Sequence, residues 1–139
     1  MKTISSSILL VVLLFASSCK DENPYRIPYV LVSFYVYPTT IDSDLGVNRF
    51  KYFSRVGYRG ILVYNNGFGQ FLAYERACTF DTENPTAIVA VDASGLIAVC
   101  PVCKSKYILT DGYPIEGPPK KPLLPYPTTY DGTRVYVHN

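Results

Sequence analysis

The 139-residue sequence has no tryptophan, no methionine beyond the first residue, and a single histidine, His138, one residue from the C-terminus. Ser–His or Cys–His catalysis would have to use that one imidazole on a strand end prone to fraying, which argues against an enzyme. Windows rich in Ala, Leu, Glu and Lys are almost absent, which argues against a helical protein. No Gly-rich loop precedes a helix-like segment to cradle a phosphate, and no internal repeat or low-complexity tract occurs. Excess charge of one sign is missing too, since 12 basic and 11 acidic side chains follow from Lys20 onward. A nucleic-acid surface needs a basic excess or stripe, so no nucleic-acid partner is expected.

Tyrosine, by contrast, is abundant, and proline and glycine are frequent. Strand formers interrupted by turn breakers predict an all-β protein. The chain opens with Met1-Lys2-Thr3, an apolar run Ile8–Phe15, and Ala16-Ser17-Ser18-Cys19. A charged start, a short apolar core and small residues before a cut are the marks of a secretory signal, residues 1–18. The apolar run is far below the roughly 20 residues of a spanning helix. A cysteine at this point resembles the bacterial lipoprotein signal, which implies lipidation of Cys19 and a membrane partner through the lipid anchor. Lys20-Asp21-Glu22 resembles the surface-export tag of Bacteroidetes lipoproteins, so the expected location is the outer membrane of a bacterial envelope, at the cell surface. Residues 19–28 then form a tether, extended because prolines bias their predecessors away from helix. The 121 residues after the signal suffice for one domain with a real core, expected over 29–139.

Tyr29–Tyr37 is a near-continuous apolar run, which predicts a strand packed on both faces. Leu45 is expected to plug the core from a polar turn segment. Phe50, Tyr52 and Phe53 fit either a helical turn or an irregular strand. Gly60–Tyr64 and Gln70–Tyr74 flank Asn65-Asn66-Gly67, a hairpin signal because Asn and Gly tolerate positive φ. A second hairpin joins Ile88–Val91 to Leu96–Val99 through Asp92-Ala93-Ser94-Gly95. Tyr107–Leu109 follows, then a proline-rich stretch to Pro127 with little room for a ladder, and a last strand at Thr133–Val137.

Every cysteine except Cys19 lies between Cys78 and Cys103, in two segments separated by strand-like sequence. Thiolates on two loops suit a shared metal or a disulfide, whereas the bland account is three buried small hydrophobes. Asp81 and Glu83, just past the first cysteine, are candidate oxygen ligands, with a solvated loop charge as the default. His138 is a candidate fourth ligand of a Cys3His zinc site.

Cys78-Thr79-Phe80 and Cys100-Pro101-Val102-Cys103-Lys104-Ser105-Lys106-Tyr107 resemble the two cluster loops of the Rieske iron–sulfur family. There the pattern is Cys-x-His, a spacer, and Cys-x-x-His-Gly-x-x-(Phe/Tyr). The resemblance covers about residues 58–139 and implies an antiparallel all-β domain with a small two-loop subdomain, about 74–112. It departs where chemistry matters. In a Rieske centre two cysteines hold one iron and two histidines the other. Phe80 and Cys103 stand at the histidine positions, and Lys104 replaces the glycine. Phe80 has no lone pair for a metal.

What the resemblance implies is therefore a Rieske-like domain without the two-histidine half of its site. The expectation is a non-enzymatic structural or interaction module, with no cofactor and with an envelope protein as partner. A disulfide would tie the loops, Cys78 to Cys100 or Cys103, leaving a single free thiol. The alternatives are an electron-transfer protein holding a 2Fe–2S cluster through Cys78, Cys100 and Cys103, and a structural zinc site on the same thiolates.

Overall fold

The computed structural model describes residues 24–139. The signal segment, Cys19 and the tether as far as residue 23 lie outside the described residues. Among those described, eleven strands and no helix are formed: β1 (Ser33–Val36), β2 (Phe50–Phe53), β3 (Ile61–Gly67), β4 (Gln70–Glu75), β5 (Ala90–Val91), β6 (Ile97–Val99), β7 (Lys106–Ile108), β8 (Pro114–Glu116), β9 (Pro125–Tyr126), β10 (Thr128–Tyr130) and β11 (Val135–His138). They build three antiparallel sheets, ordered β1-β11-β10, β2-β3-β4-β9 and β5-β6-β7-β8.

The four-stranded sheet around β3 supplies both cores. Side chains alternate along a strand, so Ile61 and Val63 join one buried cluster with Val36, Leu45, Val135 and Val137. Leu62 and Tyr64 join the other with Val89, Ala98, Tyr107 and Leu123. Both sulfur-bearing loops reach this second core, which contains Cys78 and Cys100. Residues 61–64 are all 2% exposed or less, so β3 is the strand packed on both faces. The Tyr29–Tyr37 run, expected in that role, is not. Only Ser33–Val36 pairs, at a sheet edge, and Tyr29 and Leu31 stay 76% and 73% exposed. Apolarity alone could not place it, because a second covering layer is a property of the topology.

Phe50–Phe53 is a strand, in register with β3 from Phe50↔Tyr64 to Phe53↔Ile61. The first hairpin forms, but its turn slides two residues past the expected Asn-Gly. Gly67 pairs with Gln70, leaving Phe68 and Gly69 as the loop, at φ 51° and 75°. Two central residues at positive φ match the twist of the flanking strands. Asn65 stays in the strand because its amide is engaged, donating to the Leu45 carbonyl at 3.0 Å and accepting from the Gly67 N–H at 3.0 Å. Leu45 is fully buried, as expected. The second hairpin closes at Asp92–Gly95, with Ala90↔Val99 and Val91↔Ala98 in register. The proline-rich stretch holds only the short β8 and β9, since a proline offers no N–H to a ladder.

His138 is tied into β11. It pairs with Ser33, its N–H reaches the Pro127 carbonyl at 3.1 Å, and its ring stacks on Tyr136 at 4.8 Å.

Candidate functional site

The first cysteine loop springs from the end of β4. Cys78 is held by its N–H on the Ala87 carbonyl at 2.9 Å, beside a bridge between Ala77 and Ile88. Between them the chain doubles back at Asn84-Pro85-Thr86, where the Asn84 side chain accepts from the Thr86 N–H at 3.0 Å, the local turn that asparagine favours. The second loop follows β6 and is a tight knuckle. The Cys100 N–H donates to the Ser105 carbonyl at 2.9 Å, and the Lys104 N–H donates back to the Cys100 carbonyl at 3.1 Å. Lys104 takes φ 61°, a left-handed conformation that glycine adopts without cost and a side chain does not.

These two loops bring three sulfurs to one point. The Sγ atoms of Cys78, Cys100 and Cys103 all lie within 4.8 Å of one another, and Cys78 and Cys103 stand 3.5 Å apart. Cys78 and Cys100 are fully buried, and Cys103 is half-buried. Hydrogen-bonding groups surround them. The Tyr107 hydroxyl lies 3.5 Å from Cys78 Sγ and 3.0 Å from the Thr79 hydroxyl, while the Ser105 hydroxyl lies 2.9 Å from Cys103 Sγ. Burial pushes the Cys100 thiol up to about 12, against the opposing pull of the Cys103 and Val102 backbone N–H groups. For Cys103, burial acts upward but is outweighed by the Ser105 hydroxyl and N–H and by the two other thiols, so its pKa falls below the ordinary thiol value.

All three cysteines are free thiols, so the expected bridge between the loops is absent from this structure. A sulfur separation of 3.5 Å is well beyond the ~2.05 Å of a bond. The third sulfur, of Cys100, lies within 4.8 Å of both members of that pair.

The other predicted donors are elsewhere. Phe80 is 57% exposed and, with Asp81 and Glu83, lines an open pocket of about 480 Å³ bounded by Pro118 and Lys121. Among the described residues neither carboxylate nor His138 belongs to the sulfur cluster, and His138 sits in the β1-β11-β10 sheet. A Rieske two-iron centre needs two imidazoles on its second iron. Neither is here, and the ring at the first of those positions turns to solvent. The donor set does not fit that cluster.

One supporting residue was missed in the sequence. Glu75, fully buried, accepts from the Tyr58 and Arg59 N–H groups at 2.8 Å each and from the Tyr126 hydroxyl at 2.9 Å. An acid closing an apolar strand, with Gly57 and Gly60 upstream, is the only signal it left.

Neither a protein-family profile nor a curated protein matches the chain. Solved structures do. A chain from the complex of reduced oxygenase and oxidized ferredoxin in carbazole 1,9a-dioxygenase superposes with a TM-score of 0.54 at 25% identity, covering 77% of this chain and 93% of that one. The ferredoxin of carbazole 1,9a-dioxygenase from Nocardioides aromaticivorans gives a TM-score of 0.50 at 21% identity, over 75% and 96% of the two chains. The protein is an all-β, Rieske-like domain.

Proposed function

We propose that this chain is an envelope lipoprotein whose Rieske-like domain is a non-enzymatic structural or interaction module, its cysteine loops joined through sulfur instead of through a two-iron cluster. One observation carries the reading. Phe80, at the first histidine position, faces solvent, while Cys103, at the second, turns its sulfur onto Cys78 at 3.5 Å. The ferredoxin–oxygenase complex among the similar structures supports a protein partner. The lipoprotein part rests on the N-terminal signal and Cys19. Replacing Cys19→Ala should release the protein to the soluble fraction, and a protein that stays on the membrane after that change would contradict the anchor.

The test of the site is compositional. The full chain, purified anaerobically, should be colourless and nearly free of iron. About two irons per chain with strong visible absorbance would overturn the reading and make this an electron-transfer protein with Cys-rich ligation.

The 3.5 Å contact also favours a second form of the same module, in which exchange with an external disulfide joins Cys78 to Cys103 and releases that reagent as two thiols, in an envelope that permits it. Closing a loop across those 25 positions would stabilise by about 3 to 4 kcal/mol in the chain-entropy account.

A further inference from the structure

We infer that Cys78, Cys100 and Cys103 form a site for one zinc ion, with three protein thiolates and a fourth position left to water or another exogenous ligand. The inference rests on the cluster-less reading above and specifies what its sulfurs hold.

Spacing is the first argument. Four sulfurs placed tetrahedrally at a zinc–sulfur distance of ~2.3 Å stand roughly 3.8 Å from one another. The three here, at 3.5 Å for one pair and within 4.8 Å for all, are close enough to that edge length to share one ion. In a two-iron centre only donors to the same iron stand that close, whereas here Cys103, at a position belonging to the second iron, lies 3.5 Å from Cys78.

The second loop supplies the next argument. Around the second loop hydroxyl groups, not apolar side chains, meet the sulfurs: the Ser105 hydroxyl lies 2.9 Å from Cys103 Sγ and the Tyr107 hydroxyl 3.5 Å from Cys78 Sγ. Thiols and disulfides are weak acceptors, so such donors are best used by metal-bound thiolates. The knuckle that brings Cys103 back toward Cys78 closes with the Lys104 N–H on the Cys100 carbonyl and holds Lys104 at φ 61°, a conformation with a local cost that something must offset.

Charge decides the ion. Ionised as metal ligands must be, the three sulfurs need a cation, and the two lysines of the loop are engaged elsewhere. Lys104 Nζ donates to the Pro101 carbonyl, and Lys106 Nζ pairs with Glu116. A divalent ion leaves one net negative charge, whereas a monovalent one leaves two, and buried uncompensated charge is costly. All-sulfur donors exclude Mg²⁺, Ca²⁺ and Mn²⁺. Among the described residues no fourth Cys, His, Asp or Glu joins the group, and half-buried Cys103 gives the open position its access to solvent.

The test uses the full chain with Cys19→Ala, purified with reductant, so that three thiols remain. One zinc per chain should co-purify. After chelation, titration with Co²⁺ should give the ligand-field bands of a tetrahedral ion and a sulfur charge-transfer band saturating at one equivalent. Each of Cys78→Ser, Cys100→Ser and Cys103→Ser should cut that band and weaken binding more than the roughly 10–100-fold expected from losing an outer hydrogen bond. Ser105→Ala should fall within that 10–100-fold range. If a serine variant misfolds, the parent still decides, because zinc should raise its melting temperature and a chelator lower it. A fully reduced parent that gives no Co²⁺ spectrum and no zinc-dependent melting shift overturns the inference, and so does binding that survives all three serine variants. Finding a Cys78–Cys103 disulfide and no zinc uptake after reduction would sink the zinc site alone. Two irons per chain would sink the cluster-less reading with it.

Discussion

The Tyr126 hydroxyl donates to the Glu75 carboxylate across 2.9 Å and ties β9 to the end of β4, three residues before Cys78. The same carboxylate accepts from Tyr58, Arg59 and Ala77 N–H groups, so the segment ahead of β3 and the start of the first cysteine loop hang on one side chain. Glu75→Ala strands several buried donors, each worth about 1–3 kcal/mol when left unpaired. The expected loss is at least about 3 kcal/mol, read as a lower urea midpoint. Tyr126→Phe removes one bond to a charged acceptor and should cost about 1.5–3 kcal/mol. Equal, small effects from both would show that the carboxylate is not the anchor.

Stability should fall at alkaline pH for a related reason. Burial first, and then the Glu75 charge, push the Tyr126 hydroxyl well above its ordinary value of 10.0. Burial and then Asp111 do the same for Tyr74, whose hydroxyl donates to the Leu109 carbonyl at 3.1 Å. Both groups hold their protons in the folded state at pH values where the unfolded chain has lost them. Their contribution is therefore complete below about 10 and is lost as pH climbs toward the folded values. Ultraviolet titration should show exposed tyrosines ionising first, with Tyr74 and Tyr126 appearing only as circular dichroism reports unfolding. Removing both, in Tyr74→Phe with Tyr126→Phe, should leave the pre-unfolding phase unchanged.

Gly117 transmits to the sulfurs. It lies at φ 101°, and a Cβ there would stand 2.7 Å from Ser105 Oγ and 2.8 Å from Ser105 Cα. Ser105 is fully buried and its hydroxyl touches Cys103 Sγ. Gly117→Ala should cost about 1–3 kcal/mol from strain and overpacking and should also alter Cys103 reactivity toward a small alkylating agent. Gly46→Ala is the contrast. Its nearest neighbour would be Arg49 Cγ at 3.9 Å, so a neutral or slightly stabilising effect is expected.

Phe80 should matter little to stability or to thiol chemistry. Its ring is 57% exposed, so Phe80→Ala is expected to change stability by no more than about 0.5 kcal/mol, as for other surface positions. Thiol count and metal content should be unchanged. A loss of several kcal/mol would mean that the ring plugs the site.

Much of this architecture was already written in the chain. Apolar alternation and turn chemistry located the strands around Asn65–Gly69 and Asp92–Gly95, because those preferences act over a few residues. The ligand substitutions at Phe80 and Cys103 were equally plain, since a side chain's donor atoms do not depend on its surroundings. Tertiary structure alone decided the rest. Tyr29–Tyr37 and Ile61–Tyr64 are similar apolar runs, and only the stacking of sheets on both sides of β3 distinguishes them. Glu75 reads as an ordinary strand-end acid until three backbone N–H groups and Tyr126 close on it. Cys78 and Cys103 are 25 positions apart, and their 3.5 Å contact exists because β5 through β7 fold the second loop back onto the first. Distances of that kind are set by long-range pairing and burial, which no local stretch of sequence encodes.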